Sequence, residues 1–350
     1  MQLHHGIHLR PVRWAGHLLS AVSPLLDEHT VIDYLAGRGV ETGAGATARE
    51  LGGGVSNVVL AVEWGEVRVI VKQALPQLRV QSEWFAPVDR VLREARTIDL
   101  TNALLSGFAP RLLDADSQRF VIAMTGAPAD WTDWKQRLMI GDVQPSVGSM
   151  FGHQLARLHR QTRGGEHLDA SFFDPSSFEQ LRIEPYFRQA ATRLPMLSAD
   201  IRDTVDDLLL RRECLVHGDF SPKNLLVNLR QDAGWIIDFE VAHFGDPAFD
   251  IAFLLSHLML KAIHRPQDAV ALDATATAFV DAYERESDGR MQVDVSRVIR
   301  VVGCLLAARV AGRSPVEYLD ASGREAALAT ATAIFATCPS TLADLALARG

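Results

Sequence analysis

The residues best suited to chemistry lie in Leu215-Val216-His217-Gly218-Asp219-Phe220-Ser221-Pro222-Lys223-Asn224-Leu225-Leu226-Val227 and, shortly after it, in Ile236-Ile237-Asp238-Phe239-Glu240. A short apolar run delivers Asp219 into a loop, Asn224 follows five residues on, and a second apolar run begins. Asp238 stands fourteen residues beyond Asn224, at the end of a further apolar run. Taken singly, each is an ordinary loop polar residue. Their joint order and spacing suit metal-assisted phosphoryl transfer: Asp219 can orient a hydroxyl and accept its proton, while Asn224 and Asp238 offer hard oxygen ligands to Mg²⁺. His217 reads as a hydrogen-bonding partner of the loop backbone, because Asp219 already fills the base role.

Earlier in the chain, Gly52-Gly53-Gly54-Val55-Ser56-Asn57 precedes an apolar run. Glycines let a backbone approach phosphate oxygens closely, and a turn of this kind between strands can direct its amides at a nucleotide. Lys72 closes the next strand, Val69-Ile70-Val71-Lys72. An ammonium there needs a partner if it is buried, which Glu94 on the following helix can provide; Glu83 precedes that helix and is the lesser rival. An edge-strand lysine in solvent is the bland alternative. A second glycine pattern, Gly43-Ala44-Gly45-Ala46-Thr47-Ala48, fits the dinucleotide fingerprint. No convincing strand precedes it and a hairpin follows it, so it reads as a flexible linker. Lys223 reads as a solvent-facing lysine, with contact to a phosphate or an anionic substrate as the sharper alternative. His153, His159, His243, His257 and His264 lack metal-ligand companions and read as core or surface residues.

These groups must be carried by particular elements. Residues 18–35 have helical apolar spacing, and glycines then punctuate the chain to Gly45. Residues 58–62 and the alternating Val67, Val69 and Val71 make a β-hairpin turning at Trp64-Gly65-Glu66, followed by a helix over 87–105 with Pro87 in its first turn. Residues 111–114 and 120–124 form a second hairpin. Beyond a seam near 124–127 the helical period dominates, with Val147, Phe151, Leu155 and Leu158 on one face and Ile201, Val205 and Leu208 on another. Short strand signals at 225–227 and 235–237 interrupt it. Strands early and helices late predict an α+β chain of two unequal lobes.

Composition narrows the classes further. The 350 residues are 48% hydrophobic and 22% charged, enough for a sizeable core, and the net charge is −8. A whole-protein nucleic-acid binder is disfavoured, since phosphate neutralisation needs a basic surface. The three cysteines, Cys214, Cys304 and Cys338, lack CxxC spacing, so a reducing cytoplasm is expected. No apolar stretch is long enough to span a bilayer.

The chain resembles the aminoglycoside phosphotransferase and choline-kinase-like branch of the protein-kinase-like fold, which phosphorylates small molecules. The likeness rests on Gly53-Gly54-Val55-Ser56-Asn57, on Lys72 with Glu94, on His217-Gly218-Asp219 through Asn224, on Asp238-Phe239-Glu240 and on Gly245-Asp246-Pro247-Ala248-Phe249-Asp250. It covers residues 50–260. The resemblance implies a two-lobed fold, with a small antiparallel-sheet N-lobe over 1–124 and a larger, mainly helical C-lobe over 125–350. It implies ATP and Mg²⁺, with Gly53, Gly54, Ser56, Asn57, Lys72 and Glu94 at the phosphates and the base on backbone near Met124. Asn224 and Asp238 would bind Mg²⁺, Asp219 would serve as base, and His217 and Asp250 would brace the catalytic loop. Ser221 departs from the protein-kinase pattern, in which a lysine stands two residues after the catalytic Asp; Glu240 replaces the glycine of Asp-Phe-Gly, and no Ala-Pro-Glu follows. The expected function is transfer of phosphate to a small hydroxylated substrate; the alternatives are a catalytically silent nucleotide-binding module and a protein kinase. The acceptor and the oligomeric state stay open. An acidic pocket for a cationic acceptor could come from Asp268, Asp273, Asp281, Glu284, Glu286 and Asp288, though a solvated helix face explains those residues as well.

Overall fold

Lys72 and Glu94 are carried by a first unit of the chain, which ends at Trp131; the catalytic-loop residues belong to a second, beginning at Thr132. The structure is a computed structural model that describes residues 24–52, 56–79, 86–289 and 294–349. Gly53, Gly54 and Val55, the rival Glu83, and Leu18, Leu19 and Val22 lie outside the described residues.

The first unit is built on five antiparallel strands, β1 (Thr47–Glu50), β2 (Asn57–Trp64), β3 (Val67–Ala74), β4 (Leu112–Asp116) and β5 (Val121–Thr125), in the order β1-β2-β3-β5-β4. The β2–β3 hairpin pairs Trp64 with Val67, so of the expected turn Trp64-Gly65-Glu66 the first residue belongs to β2. One face of the sheet is sealed by helix α1 (Val31–Gly37) and its flanks, with Leu26, Val31, Leu35 and Val40 packed against Val58, Leu60, Val62, Val69 and Val71. Helix α2 (Arg90–Leu104) packs on β3, β4 and β5. Pro87 stands before this helix and not in its first turn; its carbonyl accepts from Arg90 Nη1 at 2.7 Å. Residues 43–48 are no free linker either, because Thr47 opens β1 and pairs with Glu63 of β2. Leu25 and Leu26 precede the helix without joining it. The chain divides beyond the seam expected at 124–127, since the sheet still holds that segment. Thr125 N–H donates to Arg111 O at 2.9 Å and Gly126 N–H to Arg68 O at 2.7 Å, and Ala127 O accepts from Arg68 Nη1 at 3.2 Å.

The second unit is mainly helical, with α3 (Trp134–Met139), α4 (Pro145–Gln161) and the longer helices Ser198–Leu210, Pro247–His264, Ala269–Ser287, Val295–Ala311 and Ala321–Thr337. Two small ribbons sit among them: β6 (Thr132–Asp133), β8 (Leu225–Asn228) and β9 (Ala233–Ile236) in the order β6-β8-β9, and β7 (Cys214–Val216) paired with β10 (His243–Gly245). Helix α4 lies against Ala269–Ser287 along a seam of small residues. A side chain at Gly148 would strike the Thr275 carbonyl and one at Gly152 the Phe279 carbonyl, so only glycine permits this approach.

Candidate active site

In the first unit, β3 is the middle strand, and Lys72 is flanked by Val59 on one side and Ile122 on the other. That placement excludes the edge-lysine reading. The Lys72 side chain is 10% exposed and donates from Nζ to Glu94 Oε1 at 2.7 Å, Glu94 itself being fully buried. A buried ammonium of this kind is tolerable only with such an anion beside it. Ser56 Oγ accepts from Asn57 Nδ2 at 3.1 Å, and the Ser56 carbonyl accepts from Leu75 N–H at 3.0 Å and from Arg90 Nη2. These bonds pin the C-terminal end of the glycine loop. Met124 sits on β5 between Ile70 of β3 and Leu112 of β4.

In the second unit the apolar β7 delivers the chain into the loop that bears Asp219. Gly218 adopts φ +76°, and a side chain there would press on Val241, so the turn before Asp219 requires glycine. His217 Nε2 donates to Ile237 O at 2.9 Å, which leaves Nδ1 to accept Asp219 N–H at 3.0 Å. Burial favours the neutral imidazole that this arrangement needs, lowering its pKa below the usual histidine value despite Asp250 and Asp219. Asp250, on helix Pro247–His264, accepts His217 N–H at 2.6 Å and Gly218 N–H at 2.9 Å. His159 of α4 adds a third contact at 3.2 Å, and its other ring nitrogen meets the Tyr283 hydroxyl at 2.8 Å. Burial pushes the Asp250 carboxyl up, but the bond and charge of His159 and the amide of His217 hold it below its ordinary value.

The β8–β9 ribbon ties Asn224 to the residue just before Asp238. Leu225 pairs with Ile236, so the residues just outside the ribbon face each other, and Ile237 N–H donates to Asn224 O at 3.0 Å. Asp238 follows directly, with φ +69°, a strained conformation for a non-glycine residue at the point where its carboxylate is presented. Asn224 Nδ2 donates to Asp219 O at 2.9 Å and to Asp219 Oδ2 at 2.8 Å, tying the ribbon to the loop. Asn224 Oδ1 accepts no hydrogen bond among the described residues.

Arg182 is the site residue that sequence spacing missed. It lies on the π-helical segment Glu179–Arg188, buried, with Nη2 3.1 Å from Asp219 Oδ2 and Nε donating to Gly218 O at 2.8 Å. Lys223, expected to face solvent, is 54% exposed yet reaches the same Asp219 Oδ2 at 3.1 Å. Burial pushes the Asp219 carboxyl up; Arg182 and then Lys223 outweigh it and hold Asp219 ionised, below its ordinary value.

Residues 47–288 match the family model described as "Phosphotransferase enzyme family". A methylthioribose kinase of Bacillus cereus is 24% identical over 84% of this chain and 86% of its own length. Among solved structures, a choline/ethanolamine kinase family protein from Mesorhizobium loti superposes with a TM-score of 0.54 at 15% identity, over 91% of this chain and 96% of that one. An amicoumacin kinase, solved in complex with AMP-PNP and Ca²⁺, gives 0.57 at 14% identity, over 85% and 91%. The fold is thus the α+β, protein-kinase-like one. The chain belongs to the phosphotransferase enzyme family and is an ATP-dependent small-molecule kinase. Neither the silent module nor the protein kinase is favoured. Among the described residues no helix is long and apolar enough to cross a membrane.

Proposed function

We propose that this chain moves the γ-phosphate of ATP directly, in line, to a hydroxyl of a small molecule in the cytoplasm, with Asp219 as base and Mg²⁺ held by Asn224 and Asp238. The asymmetry of the Asp219 carboxylate carries the reading. Asn224, Arg182 and Lys223 make their closest approaches to Oδ2, at 2.8, 3.1 and 3.1 Å, while Oδ1 accepts no hydrogen bond among the described residues. One oxygen is anchored and the other is left to orient an incoming hydroxyl and take its proton. The donor set fits the metal: Asn224 spends its amide hydrogens on Asp219 and keeps its oxygen, and Asp238, a second oxygen donor, directly follows Ile237, whose N–H bonds the Asn224 carbonyl. One or two protein oxygens beside substrate phosphates is how Mg²⁺ is usually held. When bound, such an ion neutralises charge on the β- and γ-phosphates.

The remaining residues serve these. Lys72, fixed by Glu94, grips the phosphates together with Gly53, Gly54, Ser56 and Asn57, and backbone near Met124 receives the base. His217 and Asp250 hold the loop so that the Asp219 side chain keeps one orientation. An ADP-release screen across hydroxylated small molecules at saturating Mg-ATP tests the reading. Once an acceptor is found, Asp238→Ala should abolish turnover and strongly weaken the metal dependence of ATP binding. Full activity in that variant would remove the assignment.

A further inference from the structure

We infer that the hydroxylated acceptor carries a negatively charged group, a carboxylate or a phosphate, seated against Lys261 and Arg309. This rests on the reading of Asp219 as the base. Helix Pro247–His264 presents Phe253, His257 and Lys261 at successive four-residue steps, hence on one face. Phe253 packs against the guanidinium of Arg182, 5.8 Å from its ring centroid, and Arg182 is the group that pairs with Asp219. The His257 ring lies 5.2 Å from Phe253, and Lys261 follows one turn further on. From Phe253 to Lys261 the rise is about 12 Å along the axis, comparable with the length of a small acceptor. Arg309 is linked to the same cluster: both it and Arg182 lie over the Tyr186 ring, at 5.7 and 5.6 Å.

Lys261 is only 1% exposed and makes no ion pair among the described residues. Its Nζ reaches His257 O at 3.4 Å and stands 5.5 Å above the Tyr318 ring, whose buried hydroxyl is also without a hydrogen-bond partner among the described residues. Burial, with the fields of Lys135 and Arg309 and against that of Asp133, pulls its pKa down to about 7. The same surroundings, with Lys261 and Lys223 added, keep His257 neutral. A buried ammonium among like charges costs stability unless an anion comes to it. The acids that could serve a cationic acceptor are engaged elsewhere. Asp268 pairs with Arg265 at 2.5 Å, Asp273 with Arg349 at 2.7 Å and Glu286 with Arg160 at 2.7 Å, while Asp281, Glu284 and Asp288 are exposed.

The test uses matched probes on the full chain: glycerol, D-glycerate and glycerol 3-phosphate; D-ribose and ribose 5-phosphate; choline and kanamycin. Melting temperature and ADP release are read for the wild type and Lys261→Met. Without ligand, Lys261→Met should melt at the same temperature or higher, since it loses a buried charge. Carboxylate or phosphate probes should raise the melting temperature of the wild type and not of Lys261→Met. KM for an anionic acceptor should rise about 10- to 100-fold on the substitution, as expected for one lost charge-assisted contact, and by more than KM for its matched neutral acceptor. If anionic probes stabilise the wild type no more than they stabilise Lys261→Met, or if neutral or cationic acceptors turn over with no advantage for anions, the inference is overturned and the kinase reading stands. Anion stabilisation that depends on Lys261, with no ADP release from any acceptor, would support the anion site and count against the assignment of Asp219.

Discussion

Two carboxylates serve the same loop and are used in opposite ways. Asp250 meets two backbone amides and a histidine, and both its oxygens are engaged. Asp219, two residues beyond His217, has one oxygen crowded by Asn224, Arg182 and Lys223 and the other open. The buried lysines differ as well: Lys72 has Glu94 beside it at 2.7 Å, whereas Lys261 has no carboxylate partner among the described residues. A carboxylate with both oxygens engaged fixes geometry; one held at a single oxygen is available to a ligand.

Three substitutions sharpen or break that contrast. The largest effect belongs to Asp219→Asn, which keeps the shape and most hydrogen bonds but removes the proton acceptor. Transfer should fall about 10²–10⁴-fold, roughly 2.7–5.4 kcal/mol of barrier, while Mg-ATP affinity by calorimetry changes little. Transfer at the parental rate would deny Asp219 its role. Asp250→Ala should act on the fold first: the amides of His217 and Gly218 lose their acceptor, and urea unfolding should show a loss of about 3 kcal/mol. A protein as stable as the parent would mean the loop is braced by something else. The smallest effect is that of Arg182→Met on pH dependence. Removing the guanidinium lets burial raise the Asp219 pKa, so the acid limb of kcat/KM should move to higher pH. An unmoved limb would show that Arg182 does not tune the base. The sign for stability is related: Asp219 and Asp250 have lowered native pKa values. They contribute stability above the unfolded carboxyl pKa and lose it as pH falls through their native values.

Legibility in the chain follows sequence locality. The Asp219, Asn224 and Asp238 spacing is legible because one short ribbon spans it, and Lys72 with Glu94 because a strand and the next helix carry them. The β2–β3 hairpin and both hairpin strands at 112–125 show in their apolar pattern. Strand β1 does not, since Thr47-Ala48-Arg49-Glu50 is mostly exposed at the sheet edge and carries no apolar alternation. Arg182 lies 37 residues before its partner, on a wide helical segment containing Pro185, and nothing in its own neighbourhood marks it. His159 is a core histidine, as its lack of metal-ligand companions suggests, but its bond to Asp250 depends on two helices meeting. The four-residue spacing of Phe253, His257 and Lys261 is visible in the sequence; the missing partner of Lys261 is not.

The glycine seam between α4 and helix Ala269–Ser287 has a reach beyond packing. His159 is on α4 and Tyr283 on the facing helix, and their hydrogen bond requires one axial offset between the two rods. Gly148 and Gly152 set that offset by letting carbonyls nest where side chains would stand. From Tyr283 the order passes through His159 and Asp250 to the amides of His217 and Gly218. The aim of the Asp219 carboxylate is therefore calibrated by an interhelical clearance, and two residues with no side chain act as its gauge blocks.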